Sequence, residues 1–406
     1  MITKEIIKEV ITSQRAFLDK QEKGILREKE EEIQIQDSFA LIITGIRRCG
    51  KSTFLNQIVQ KQKKGYYLNL EDPRLEGFEL SDFTKTEIIM KELYGEGGVY
   101  FFDEIQNVEK WEKFIRYLID KKERVIITGS NASLLSRELG TKLTGRHLQI
   151  EMFPFSFKEF LIIQKQKPSL LAFEKYFDKG GFPEYLKKED PSILHELLSD
   201  VVMRDIAIRF GIRNTAILNK IVIYLISNVG KEFSYNSLKK MFEIKSVQSV
   251  IDYISYFENA YLLFSIPRFS YSYNQQQVNP KKIYSIDNGF SYSNSVSFSK
   301  DKGKMLENVV FLQLRRRCKE IFYFQEKNEC DFVIKEKDKI TTAIQVCFEF
   351  HEENKMRELN GLVAALQKFN IKEGYILTYN QSDSFLIDSK KIQVKPVWEW
   401  MLERFT

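Results

Sequence analysis

The chain has 406 residues, 43% of them hydrophobic and 29% charged, which excludes a disordered profile or one small stapled module and leaves room for roughly two to four domains. Sixty-two basic against fifty-six acidic residues leave +6, a mild excess that permits contact with nucleic acid or anionic surfaces without requiring it. Four cysteines, Cys49, Cys318, Cys330 and Cys347, stand far apart with no Cys-x-x-Cys pair, which argues against a disulfide framework or zinc knuckle and fits a cytoplasmic protein, and no stretch approaches the roughly 18 apolar residues of a membrane span.

Residues 1–35, rich in Lys, Glu and Gln, read as one or two amphipathic helices. Short apolar runs follow at Phe39–Thr44, Gly65–Leu70, Gly98–Phe102, Val125–Thr128 and His147–Met152, each rich in β-branched or aromatic side chains as buried parallel strands are. Helical patterns at Ser52–Lys63, Phe83–Tyr94 and Trp111–Lys121 fill the gaps, so the alternation predicts an α/β sheet covered on both faces. Strand signals stop at Pro154, and helices at Ser156–Gln164, Ser169–Phe177 and Ile193–Phe210 predict a helical lid over 153–212. Helices at Ala216–Asn228, Tyr235–Phe242 and Val247–Asn259, an apolar Leu262–Arg268 read as a hairpin, and a polar loop or wing at Tyr271–Lys282 suggest a winged helix over 213–282. The remainder, 283–406, opens with a helix at Met305–Cys318 and continues with strands at Ile321–Gln325, Cys330–Lys335, Thr342–Phe348 and Gly374–Thr378.

The sharpest motif is Gly45-Ile46-Arg47-Arg48-Cys49-Gly50-Lys51-Ser52, a complete G-x-x-x-x-G-K-[ST] between a predicted strand and a predicted helix. Its glycines let the backbone wrap a polyphosphate, the N–H groups from Arg48 to Thr53 face the anion with the helix dipole behind them, and Lys51 reaches the β- and γ-phosphates. Ser52 is the hydroxyl ligand expected for Mg²⁺. A second acid at a neighbouring strand tip is supplied by Val99-Tyr100-Phe101-Phe102-Asp103-Glu104, with Asp103 completing the metal shell and Glu104 placed as general base for the attacking water. After Val125–Thr128, Ser130 and Asn131 are candidate sensors beside the γ-phosphate. Arg146, with Arg137 second, is the candidate arginine finger acting on an adjacent subunit, against the plain alternative of a surface arginine paired with a carboxylate. A finger acting in trans implies a homo-oligomer.

These residues resemble the AAA-type predicted ATPases of bacteria and archaea that carry an uncharacterised nuclease-like C-terminal domain. The resemblance rests on the two nucleotide motifs, on Thr128-Gly129-Ser130, Leu143-Thr144-Gly145-Arg146 and the run Phe153–Phe160, and on Gly180–Glu184, Arg204-Asp205-Ile206 and Glu307-Asn308. It implies a P-loop ATPase core, a helical lid, a winged helix and a C-terminal α/β domain like the PD-(D/E)xK nucleases, with ATP rather than GTP as nucleotide. The absence of an Asn-Lys-x-Asp guanine motif agrees with adenine.

In such nucleases one Asp and an acid-x-Lys strand hold Mg²⁺, helped by a helical Glu. Here Glu307, Asp331, Gln345 and Cys347 occupy those places, and Gln345 and Cys347 have the wrong chemistry for a hard cation and for an ammonium donor. The domain is therefore expected to be inactive in cleavage, unless a lysine such as Lys335 or Lys355 is recruited. Arg315-Arg316-Arg317 with Lys319, interleaved with Phe322, Tyr323 and Phe324, reads either as a base-stacking surface or as core aromatics beside a helix C-terminus. The predicted function is Mg²⁺-dependent ATP hydrolysis coupled to conformational change on double-stranded DNA or a protein partner. The alternative is a nucleotide-gated binding module with negligible turnover.

Overall fold

The computed structural model describes residues 2–22, 24–130, 143, 145–296 and 301–403, and it divides into two compact units, residues 1–153 and 154–406. In the first unit the helix α1 (Lys4–Lys20) is capped by Thr3, whose hydroxyl accepts from the Ile6 N–H, and buries Ile7, Val10, Ile11 and Leu18. It packs on α3 (Asp82–Tyr94) and on strand β2 (Gly65–Asn69). Among the described residues before 35 one α-helix forms, and the charged run Glu28–Glu32 makes a 3₁₀ turn.

The other strands of this unit are β1 (Ala40–Gly45), β3 (Val99–Asp103), β4 (Arg124–Gly129) and β5 (His147–Met152). All pairs are parallel in the order β2-β3-β4-β1-β5. Every residue of β1 and β3 is buried, so both faces need helical cover. Part of that cover is α2 (Lys51–Lys61) and α4 (Trp111–Asp120). In α4, Trp111, Phe114, Ile115, Leu118 and Ile119 recur at helical spacing and all are buried. Phe114 stacks on Phe83 with centroids 4.5 Å apart, and Phe102 meets Phe83 edge-on at 5.5 Å. Because β4 lies between β1 and β3, the loop after β1 and the acids ending β3 share one sheet edge two strands apart, about 10 Å.

The second unit begins with α5 (Phe157–Ile163), closed by a Ser156–Glu159 capping box, then α6 (Leu170–Lys179), α7 (Pro183–Lys188) and α8 (Ser192–Asp200). The helix expected over 193–210 changes at Val201 into a π-helical stretch, Val201–Ile208. Next come α9 (Thr215–Ser227), β6 (Glu232–Phe233), α10 (Tyr235–Met241), α11 (Val247–Asn259) and β7 (Leu263–Pro267). The apolar run at 262–268 is thus a single strand rather than a hairpin. Its partner is β8 (Lys281–Ser285), reached through a short helix α12 (Tyr273–Val278) where a loop was expected, and the antiparallel sheet runs β6-β8-β7. A domain boundary at 282 falls inside β8.

After α13 (Asn288–Asn294), the helix α14 (Lys302–Arg315) is buried continuously from Met305 to Leu314. The six-stranded sheet follows, with β9 (Ile321–Gln325), β10 (Glu329–Glu336), β11 (Lys339–Cys347), α15 (Glu352–Lys368), β12 (Glu373–Thr378), β13 (Asp383–Ile387) and β14 (Lys390–Pro396). Its order is β13-β14-β12-β11-β10-β9. Phe322, Tyr323 and Phe324 are all buried in it, so the base-stacking reading of these rings fails.

Candidate functional site

The turn from β1 into α2 has the backbone that an anion nest requires. Gly45 at φ 151° and Gly50 at φ 101° occupy regions that favour glycine, and Arg48 is left-handed at φ 62°. A Cβ on Gly45 would lie 2.1 Å from the Met152 carbonyl oxygen, so the loop crosses β5 too closely for any side chain. The Lys51 ammonium is buried and donates to the carbonyls of Gly45 (3.0 Å) and Ile46 (3.1 Å), closing the loop on itself. Cys49 is buried as well. Its N–H is given to Ile46 O, its thiol points to Met152 O, and burial pushes that thiol's pKa up, so its side chain is packing rather than reactive. Ser52 and Thr53 are exposed on the first turn of α2.

Asp103 is completely buried at the tip of β3. Its carboxylate accepts from the hydroxyls of Thr128, Tyr67 (3.2 Å) and Ser52. Burial, then the neighbouring Glu104, push its pKa up against the lowering influence of Thr128, Ser52 and Lys51. A buried carboxylate touched by a serine hydroxyl, with no ammonium or guanidinium of the described residues bonded to it, is a donor set suited to a hard divalent ion. Ser52 and Asp103 are the protein groups able to hold Mg²⁺ there, and both border a cavity of about 630 Å³ also lined by Gln14, Tyr67 and Asn69.

Glu104 adopts a left-handed backbone, φ 51°, a strained conformation that turns its carboxylate away from the strand to within 4.0 Å of Lys51 Nζ. Its N–H donates to Thr128 Oγ1 at 3.0 Å, while Gln106 donates to the Glu104 carboxylate and, at 3.4 Å, to Ser130 Oγ. Ser130 is thereby linked to Glu104 through Gln106. Asn131, Arg137 and Thr144 lie outside the described residues.

Arg146 is not beside this chain's own phosphate loop. In the parallel register it sits just before His147, which pairs with Ala40 at the start of β1, whereas the loop follows Gly45 at the end. Its guanidinium pairs with Asp120 at 2.8 Å, which is the surface ion pair weighed as the alternative. Two residues without a role in the sequence reading do hold the site. Arg27, 6% exposed, donates to Cys49 O (3.0 Å) and Phe153 O (2.6 Å), propping the loop from beneath, and Gln106 ties the Glu104 carboxylate to Ser130. Gln106 follows the acid pair by two and three residues and was within reach of a local reading; Arg27 sits in a charged run with no local signal.

In the second unit Glu307, Asp331 and Gln345 converge on a cavity of about 950 Å³, and Cys347 lines it. Lys335 and Lys355 do not reach them, being paired with Glu320 and Glu352. The ammonium that touches both Asp331 and Glu307 is that of Lys282 from β8, 2.8 Å from Asp331, 3.1 Å from Glu307 and 2.6 Å from Glu329, while Lys304 reaches Glu307 alone at 2.7 Å.

Residues 37–161 match the family model of an AAA domain, and 170–298 and 302–400 match two domains of unknown function, DUF8612 and DUF4143. An uncharacterized protein of Methanocaldococcus jannaschii is 37% identical over 440 positions, spanning 99% of this chain and 96% of that protein. One of Haemophilus influenzae is 30% identical over 396, spanning 91% and 96%. Among solved structures, the Walker-type ATPase paby2304 of Pyrococcus abyssi aligns over 66% of this chain and 96% of its own at 13% identity and TM-score 0.41. AMPPCP-bound DnaA from Aquifex aeolicus aligns over 64% and 89% at 14% identity and TM-score 0.25.

Proposed function

The chain belongs to the same family as the uncharacterized proteins of Methanocaldococcus jannaschii and Haemophilus influenzae and carries an AAA domain over residues 37–161, and from that premise we propose that it hydrolyses ATP with Mg²⁺ held between Ser52 and Asp103 and with Glu104 as general base. The observation that carries the reading is the shared hydroxyl of Thr128. It donates to Asp103 and accepts from the Glu104 N–H, so the metal-side acid and the base are set by one side chain of the intervening strand. Mg²⁺, when bound with nucleotide, supplies charge neutralisation of the phosphates. The chain's own tasks are to cradle the phosphates with the Gly45–Ser52 backbone, to release Lys51 from its loop carbonyls toward them, and to take a proton from water at the Glu104 carboxylate. Gln106 and Ser130 fix where that carboxylate points. Lys51→Ala and Glu104→Gln separate the steps: the first removes nucleotide binding, while the second keeps binding and stops turnover. Equal hydrolysis by wild type and Glu104→Gln would overturn the assignment of the base.

The partner is proposed to meet the segment 213–285. Its order of helix, short strand, two helices and two antiparallel strands, the strands joined through the short helix α12, supports a winged-helix reading, with Lys245, Ser246 and Gln248 exposed at the start of α11. Glu258 does not oppose DNA there, because its carboxylate is turned inward onto the Ser265 N–H at 2.9 Å. Stimulation of phosphate release by double-stranded DNA, lost in Lys245→Glu, tests this; ATP binding without stimulated release favours the nucleotide-gated module. An arginine finger in trans would require Arg146 to leave Asp120 in an oligomer.

A further inference from the structure

The nuclease-like resemblance implies a divalent ion at Glu307, Asp331 and Gln345, and the donor atoms there are already committed. Asp331 Oδ1 faces the Lys282 ammonium, and Oδ2 accepts from the Val346 N–H at 3.0 Å. Glu307 Oε1 accepts from Lys282 and from the Tyr284 hydroxyl at 2.7 Å, and Oε2 accepts from Lys304 at 2.7 Å. Gln345 turns its carbonyl to the Asp331 N–H and its amide to Glu358. Lys282 itself is 1% exposed and touches three carboxylates at 3.1 Å or less. A dication placed among these oxygens would have to displace hydrogen bonds they already accept and would sit beside a buried ammonium whose charge repels it.

We propose that the Lys282 ammonium is the resident cation of this cluster, standing where a divalent metal would be held, and that the C-terminal domain works without a metal ion. The proposal is independent of the nucleotide reading. A charge of one sign is needed in both cases, because buried carboxylates from α14 and β10 cannot be left unpaired. The lysine supplies it from β8, so the cation here is part of the chain and links the small antiparallel sheet to the larger one. Burial alone would lower the lysine's pKa, but the Asp331 and Glu307 carboxylates raise it well above the ordinary value, which keeps it charged.

Mn²⁺ titration of the nucleotide-free full chain, followed by the paramagnetic signal of free Mn²⁺, tests the proposal. Wild type and Asp331→Asn are expected to bind the same amount of Mn²⁺, any ion at the phosphate loop cancelling between them. Lys282→Met, which empties the position, is expected to gain about one Mn²⁺ per chain, and the gain disappears when Asp331→Asn is added. Loss of a bound Mn²⁺ on going from wild type to Asp331→Asn would overturn the proposal, as would a folded Lys282→Met that gains none. Metal-dependent nicking of supercoiled DNA by wild type, abolished in Asp331→Asn, would overturn it equally. Should Lys282→Met fail to fold by circular dichroism, the comparison of wild type with Asp331→Asn decides.

Discussion

Replacing Arg27 by Met tests whether the phosphate loop is held from below. The guanidinium makes hydrogen bonds at 3.0 and 2.6 Å to the carbonyls of Cys49 and Phe153, in a position only 6% exposed. A hydrogen bond to a charged group contributes about 1.5–3 kcal/mol, and both acceptors would lose their partner, so the variant should lose about 3 kcal/mol or more of stability. For a unit of this size that lowers Tm by roughly 6–12 °C. If about 1.4 kcal/mol of the lost order must be restored when nucleotide binds, ATP affinity falls about tenfold. Differential scanning fluorimetry and titration with a fluorescent ATP analogue read the two effects, and Arg27→Lys, which reaches one carbonyl, should fall between. A Met variant with unchanged Tm and unchanged nucleotide affinity would refute the argument.

Lys51→Ala should abolish detectable nucleotide binding in the same titration. Glu104→Gln should retain binding while lowering kcat by roughly 10²–10⁴-fold in a phosphate-release assay, the range expected for removal of a general base. Gly45→Ala should unfold the first unit at lower temperature, since its Cβ would meet Met152 O at 2.1 Å and its φ of 151° suits only glycine. Asp287, buried and accepting from the Gly181 and Phe290 N–H groups, has its pKa pushed by burial from 3.8 to about 6. The folded state then binds more protons than the unfolded one between these values, so this group makes the protein less stable as pH rises from about 4 to 6. Unfolding curves in urea across that interval should show the stability of Asp287→Asn relative to wild type shifting in the variant's favour as pH rises; a constant difference would contradict it.

The parallel core was legible because its strands are buried on both faces, and runs such as Leu41-Ile42-Ile43 therefore lack any alternation that a helix or exposed strand would impose. Gly45–Ser52 and Asp103-Glu104 were legible because each is local in sequence. Arg27 and Lys282 were not: each acts on residues more than twenty positions away, and each sits in a stretch whose charges, Arg27 to Glu32 and Lys281-Lys282, look solvated when read alone. The direction in which Arg146 lies from the loop depends on strand register, which no short motif encodes. The edge strand Asp383–Ile387 has no buried residue, and its neighbour Lys390–Pro396 carries three lysines and buries only Ile392, Val394 and Pro396, too little to mark either.

Thr128 has a mechanical implication for tuning of the reaction. Since its single oxygen is bonded both to the carboxylate at 103 and to the amide at 104, a slip of the fourth strand along the third displaces both acids together. Under the proposed roles, a signal arriving at that strand would not loosen the ion while leaving water activation intact; it would switch the two as one.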